Sequence, residues 1–364
     1  MPRFTLYRYL SVRTLTGVIG LLIILAMMTI LIDMIESLRE VERIENAGIG
    51  FAAQLTLLRA PKLVLTTMPF IFLFGSMWAF YQLNKRSEVA VMRSAGLSIW
   101  GIILPSAILA VLTGIAVLTF ADPAASRMSS EAESIKNDIR GKSANLIKEL
   151  NGGIWLRQRT DEQTLILHAS SYDADNNLLR DVVLWKQTLD GVFLERWDAE
   201  QAEIQDRRYV LHDARLRTLE GQDRQVRETQ VVDALFSIDE LREDIAKPET
   251  MSIWALPRFI DLARDAGLPT VKYELRYHDL LALPVKLLAM VLIAASFSMK
   301  PVRQGGTVRL VLWGIAAGFL LFISAEISNA TAEARLVPVV LAAWAPVFIA
   351  GFLALTFLFN TEDG

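Results

Sequence analysis

Six stretches of this chain run for about the length of a bilayer-spanning helix with almost no charge, which limits the folds open to it. A helix crossing a hydrocarbon core needs about 20 apolar residues, and its backbone must satisfy its own hydrogen bonds there. Thr14–Ile32, Leu63–Asn84 and Ser94–Ala121 contain no charged side chain. After a polar stretch from Asp122 to His278, apolar density returns in Leu280–Met299, broken only by Lys286, then in Leu310–Ala325 and Leu336–Asn360. The expected fold is an α-helical integral membrane protein of six transmembrane helices, three plus three, around one polar insert. Its divisions fall at 1–121, 122–278 and 279–364. "IDMIESLRE" follows the first run where a cleavable signal peptide would have small residues, so that run is expected to remain as a helix.

Composition supports a membrane class, with 53% hydrophobic residues. The chain has no cysteine and three histidines, which excludes disulfides and thiol catalysis and disfavours a metal centre. No catalytic residue and no metal ligand is expected. The formal charge of −3 averages segments of opposite sign. Arg3, Arg8 and Arg13 precede the first run, Lys85, Arg86 and Arg93 separate the second from the third, and Lys300, Arg303 and Arg309 separate the fourth from the fifth. If the helices alternate, these nine basic residues share one side with a single acid, Glu88. Basic loops stay in the cytoplasm, so the termini are expected inside and the insert outside.

The insert is expected to be mostly strand. "TLILHAS" sets Leu165, Leu167 and Ala169 on one face, and "YVLHDARLRTL" alternates through Val210, His212, Ala214 and Leu216. Turn signals such as "DADNN" and "LDG" recur at the spacing of a sandwich or barrel. Its flanks look helical, with Pro123–Leu150 continuing the third run and "SIWALPRFIDLARDAG" amphipathic. "RGKS" at 140–143 echoes a phosphate-binding loop, but Lys136 stands where the first glycine belongs, so ATP is not expected on this chain.

Charges inside or beside membrane runs have two readings each. Lys286 can snorkel to the interface with its aliphatic stem. Glu326 either faces an internal cavity or marks where hydrocarbon ends. Asp33, Glu36, Arg39, Glu40 and Arg43 continue the first run at helical spacing, as a solvated face or as the polar rim of a lateral opening. The stretch "NKRSEVAVMRSAG", 84–96, places Val89, Val91 and Met92 among charges, so it reads as a short surface helix suited to docking a partner.

"RSEVAVMRSAGLS" resembles the cytoplasmic coupling segment of the LptF/LptG permease family, with support from "PVRQGG" after the fourth run and "LVPVVLAAWAPVF" in the last. "YRYLSVRTL" and "LIDMIESLRE" look more like the G-type branch than the F-type. The resemblance implies a permease subunit of an ATP-driven lipopolysaccharide exporter in the bacterial inner membrane. It implies an F-type permease partner, a cytoplasmic ABC ATPase dimer carrying ATP and Mg, and a periplasmic β-jellyroll bridge that receives the lipid. Nucleic acid has no place in that list. By resemblance Glu88, with Arg86 and Arg93, couples to the ATPase, and the first and fifth spans form lateral gates. The insert, about 152–237, is then a periplasmic jellyroll with Leu165, Leu167, Val183 and Leu211 lining an acyl-chain groove. Asp33, Glu36, Arg39, Arg43, Arg127, Lys136 and Glu326 are the candidates for the lipid-cavity rim. G-type relatives carry basic residues at the end of the first span, so the acids here imply a different substrate charge or bridging divalent cations.

Three rival readings are weaker. A lipoprotein-releasing ABC permease usually has four spans with its large domain after the first. A membrane-anchored periplasmic sensor or scaffold would carry a cytoplasmic signalling domain, and none of the loops on the basic side is long enough for one. A proton-coupled transporter would need a relay of ionisable groups across the spans.

Overall fold

The computed structural model of the chain describes residues 3–41, 48–139, 154–159, 163–173, 178–188, 192–205, 208–218, 223–225, 229–233, 247–265, 269–299 and 307–362. The chain divides into two compact units, 1–129 with 274–364, and 130–273. The sequence divisions at 122 and 278 followed the first charges. The helical unit reaches further at both points because Asp122, Ser126 and Arg276 make polar contacts inside it.

Helices α1 (Arg3–Val41), α2 (Ile49–Lys85), α3 (Glu88–Ser94) and α4 (Ile99–Ala116) come first. A π-helical turn at Val117–Ala121 joins α4 to α5 (Asp122–Ile139). That wider turn falls just before Pro123, whose ring would otherwise meet the carbonyl four residues back. Among the described residues six helical stretches are long and apolar enough to cross a membrane: Phe4–Arg39, Ile49–Lys85, Ile99–Lys136, Val271–Ser298, Leu312–Glu333 and Val339–Asn360. The last three lie in the helices named here α7 (Val271–Ser298), α8 (Thr307–Glu333) and α9 (Val339–Glu362). Prolines sit inside α2, α4, α7 and α9 without ending them, as packed membrane helices allow.

The core of the helical unit is built from α2, α4 and α7, with Phe72, Phe80, Ile102, Ile103, Leu287 and Val291 all buried. Between membrane helices the gain from such contacts is packing rather than exclusion of water, so close approach matters. A Cβ on Gly17 would fall 2.4 Å from the Gly75 carbonyl oxygen, so α1 and α2 touch there backbone to backbone. Gly114 of α4 meets Pro284 of α7 in the same way, at 2.5 Å from its Cα. The buried stripe of α1 runs Leu10, Thr14, Val18, Asp33 and Ser37. Thr14 and Ser106 bridge α1 to α4 by a hydroxyl pair at 2.7 Å.

Among the described residues of the second unit nine strands form one antiparallel sheet, β1 (Ile154–Arg159), β2 (Gln163–Ala169), β3 (Ser171–Asp173), β4 (Leu178–Thr188), β5 (Phe193–Gln205), β6 (Arg208–His212), β7 (Arg215–Thr218), β8 (Asp223–Gln225) and β9 (Thr229–Asp233). The main path is β1-β2-β4-β5-β6-β9. β3 extends β2 along β4, and β7 extends β6 along β5. The junctions sit at Ser170, opposite Asp181, and at Asp213, and both aspartates are left-handed, with φ of 50° and 52°. Aspartate tolerates that conformation better than most residues. Buried positions shift by one across each of them: Leu179 gives way to Val182 and Leu184, and Tyr209 and Leu211 to Ala214. The expected alternation through Val210, His212 and Ala214 is therefore displaced, because Asp213 interrupts it. The amphipathic α6 (Leu256–Asp265) buries Leu256, Ile260 and Ala263, and its Phe259 lies 4.6 Å from the Tyr273 ring.

Candidate functional site

At one end of the helical unit, α3 is held against α1 and α2 by buried Val89 and Met92, which join the core that contains Leu10, Leu83 and Ile99. Ser87 precedes it in a left-handed conformation (φ 57°), which turns the chain sharply out of α2. Glu88 is the first residue of α3, where a carboxylate favours the helix dipole. Tyr9 donates its hydroxyl to Glu88 Oε2 at 2.7 Å. Arg13 in turn donates Nε to the Tyr9 oxygen at 3.1 Å. Arg86, Arg93 and Val91 are exposed, Val91 at 65%, so the outward face of α3 is apolar at its centre and cationic at both ends. A complementary protein surface would need a socket for Val91 and acids around it.

The opposite end of the unit contains an ion cluster. Lys62 of α2 donates Nζ to Asp122 Oδ1 and to Ser126 Oγ, both at 2.9 Å. Arg276 of α7 donates Nη2 to the same Asp122 oxygen at 3.3 Å. Lys62 and Asp122 are buried, and Arg276 Nε is buried with no hydrogen-bond partner among the described residues. Two cations therefore share one carboxylate, on three different helices. Along α2, Lys62 and Lys85 stand about 35 Å apart at 1.5 Å per residue, so this cluster and α3 lie at opposite ends of the span.

Arg276 and Asp122 also line a cavity of about 220 Å³ with Asp279, Lys286 and Glu326. Lys286 donates Nζ to Asp279, seven residues earlier on α7, so its stem does lean toward that end and meets a carboxylate there. Glu326 is exposed and on the cavity wall. Between α7, α8 and α9 runs a larger apolar groove of about 620 Å³, lined by Phe297, Trp313, Leu320, Ile349 and Leu353.

The polar rim differs from expectation. Asp33 is buried and accepts from Ser37 Oγ one turn on at 3.5 Å, and Ser37 Oγ in turn accepts from Thr56 of α2 at 3.1 Å. It falls on the stripe that begins with Leu10, so helical geometry turns it inward. Glu36 and Arg39 are exposed, one charge of each sign. Arg127 is exposed, Lys136 is buried within its own unit, and Arg43 lies outside the described residues. Among the described residues no cluster of three or more His, Asp or Glu converges on a point where a metal would sit.

On the sheet, Leu165, Leu167 and Leu211 are buried together with Leu184, Trp197 and Tyr209. Val183 does not join them. It pairs with His168 and Asp198 while its neighbours Val182 and Leu184 are the buried ones, so it faces the other side. Sequence reading missed Lys62, Asp122, Arg276 and Tyr9. The first two stand at the ends of apolar runs and read as boundaries, although a charge abutting a run is the available signal. Tyr9 lies within "YRYLSVRTL", but nothing in that stretch signals that its hydroxyl meets Glu88.

Residues 8–360 match the family described as lipopolysaccharide export system permease LptF/LptG. The chain is 25% identical over 357 residues to the lipopolysaccharide export system permease protein LptG of Haemophilus influenzae, covering 94% of each chain. It is 22% identical over 347 residues to the LptG protein of Escherichia coli K12, covering 90% of each. The match takes in every strand of the sheet and all six apolar helices, and both relatives carry the same name. The chain therefore belongs to the LptF/LptG family of lipopolysaccharide export permeases, on its G-type branch.

Proposed function

We propose that this chain is the G-type permease subunit of an ATP-driven exporter that lifts lipopolysaccharide out of the bacterial inner membrane. Family membership across residues 8–360 is the observation that carries the reading. In this proposal the six helices span the membrane three plus three, with both termini cytoplasmic and the sheet in the periplasm. The nine basic residues on one side support that orientation. An F-type subunit completes the lipid cavity. Phe4–Arg39 and Leu312–Glu333 have the smallest buried shares of any spans, 11% and 17%, which supports the first and fifth spans as gates that a partner covers.

The chain supplies no ATP-binding motif, so hydrolysis of MgATP falls to a separate ABC ATPase dimer docked on α3, with Glu88, Arg86 and Arg93 at the contact. The buried side of the sheet, folded as an open jellyroll, holds acyl chains beside Leu165, Leu167 and Leu211 before a periplasmic bridge protein takes them on. Purification of the tagged protein from native membranes in mild detergent tests the assembly. A second permease of the same family, an ABC ATPase and bound lipopolysaccharide should co-purify. Recovery of this chain with none of them would contradict the proposal.

A further inference from the structure

Glu88 is the single acid among the cationic segments, and its partner lies 79 residues away in the same chain. Tyr9 both donates and accepts, giving an ordered chain from Arg13 through the Tyr9 hydroxyl to Glu88 Oε2. Each bond in such a chain polarises the next. The Arg13 guanidinium carbon also stands 5.3 Å from the Tyr9 ring centroid, which holds the ring as well as the hydroxyl. On the other side of Glu88, Val89 and Met92 are buried with Leu10, the residue after Tyr9. α3 is thus fastened to one turn of α1 by two unlike contacts, a charged hydrogen bond and an apolar patch.

The mechanical setting of α1 gives that fastening a use. Only 11% of its most apolar window is buried, against 67% for the window in α7, so most of that stretch of α1 is left uncovered by its own chain even though one stripe packs along α2. Its buried stripe faces α2, with one hydroxyl pair to α4. Glu88 Oε1 has no hydrogen-bond partner among the described residues, so the same carboxylate can be gripped from outside while Oε2 remains bound to α1.

We infer that Tyr9 is a positioning residue which transmits displacement of α3 to the foot of α1, with Arg13 orienting its hydroxyl. This rests on the reading that α3 receives the ATPase. The carboxylate then faces two ways, one oxygen toward the docked protein and the other toward the span that opens. An ATPase pulling on α3 moves Glu88 and, through Tyr9, the base of α1.

The test uses the complete complex, purified with its ATPase and reconstituted in vesicles containing lipopolysaccharide. Tyr9→Phe removes one oxygen and keeps the ring. The complex should assemble and hydrolyse ATP at the normal rate, while lipid extracted per ATP falls about ten- to a hundred-fold, the size expected for one hydrogen bond to a charged group. Arg13→Gln should shift the same ratio in the same direction, and Val192→Ala, an exposed turn residue of the sheet unit, should leave it unchanged. A normal ratio in Tyr9→Phe overturns the inference. So does a fall in export that only tracks lost complex yield or thermal stability, because that is a structural effect. Glu88→Lys separates this inference from the reading beneath it. If Glu88→Lys abolishes ATPase docking while Tyr9→Phe is silent, only the Tyr9 link fails; if Glu88→Lys is also silent, the docking site itself is wrong.

Discussion

Asp122 ties α2, α5 and α7 of the helical unit together through one carboxylate. Its carboxylate neutralises Lys62 and Arg276 at once, in a place where Lys62 and Asp122 are almost wholly removed from solvent. Removing one member of a buried ion pair leaves an uncompensated charge and typically costs about 3–5 kcal/mol. Asp122→Ala takes the shared carboxylate away from two cations and is expected to lose stability on that scale. Lys62→Met should lose less, because Asp122 keeps Arg276. Thermal unfolding of the two variants in detergent checks the order, and Lys62→Met as the more damaging change would show that the cluster is held mainly through α2. These residues were visible in the sequence only as run ends. A charge beside a hydrophobic run says where hydrocarbon could stop, but not which helix packs against it. The same limit applies to Asp33, whose inward face depends on the contact of α1 with α2.

The elements themselves were far more legible. Runs of uncharged residues located the six helices, since length and apolarity set a spanning helix. Their ends were not legible in the same way: α1 and α2 continue well past the apolar runs, to Val41 and back to Ile49, because polar residues extend a helix outside hydrocarbon. In the sheet, alternation identified Leu165 and Leu167 correctly and failed at Val183 and around His212, where Asp181 and Asp213 shift the pattern by one residue. Reading a strand by twos works only until a residue adopts a left-handed conformation. Photo-crosslinking probes placed at Leu167, Leu211 and Val183 turn this into a prediction about transit. The first two should capture lipopolysaccharide when ATP is supplied, and Val183 should not. Equal capture at all three positions would mean that the buried side of the sheet is not the path.

For the whole molecule, the proposed function gives the sheet unit and the helical unit one process, in which lipid leaves the membrane at the expense of ATP hydrolysed by another chain. The first and fifth spans are exposed over most of their length, and α3 presents Val91 between cationic ends, so both a membrane partner and a soluble one have surfaces to meet. The most direct measurement follows lipopolysaccharide itself. Vesicles containing lipopolysaccharide and the complete complex are incubated with a soluble periplasmic acceptor, and transfer to the acceptor is recorded over time. Transfer should require ATP, should stop when this chain is left out, and should not occur with a non-hydrolysable nucleotide. Transfer at the same rate without this chain, or without ATP, would contradict its role as the permease.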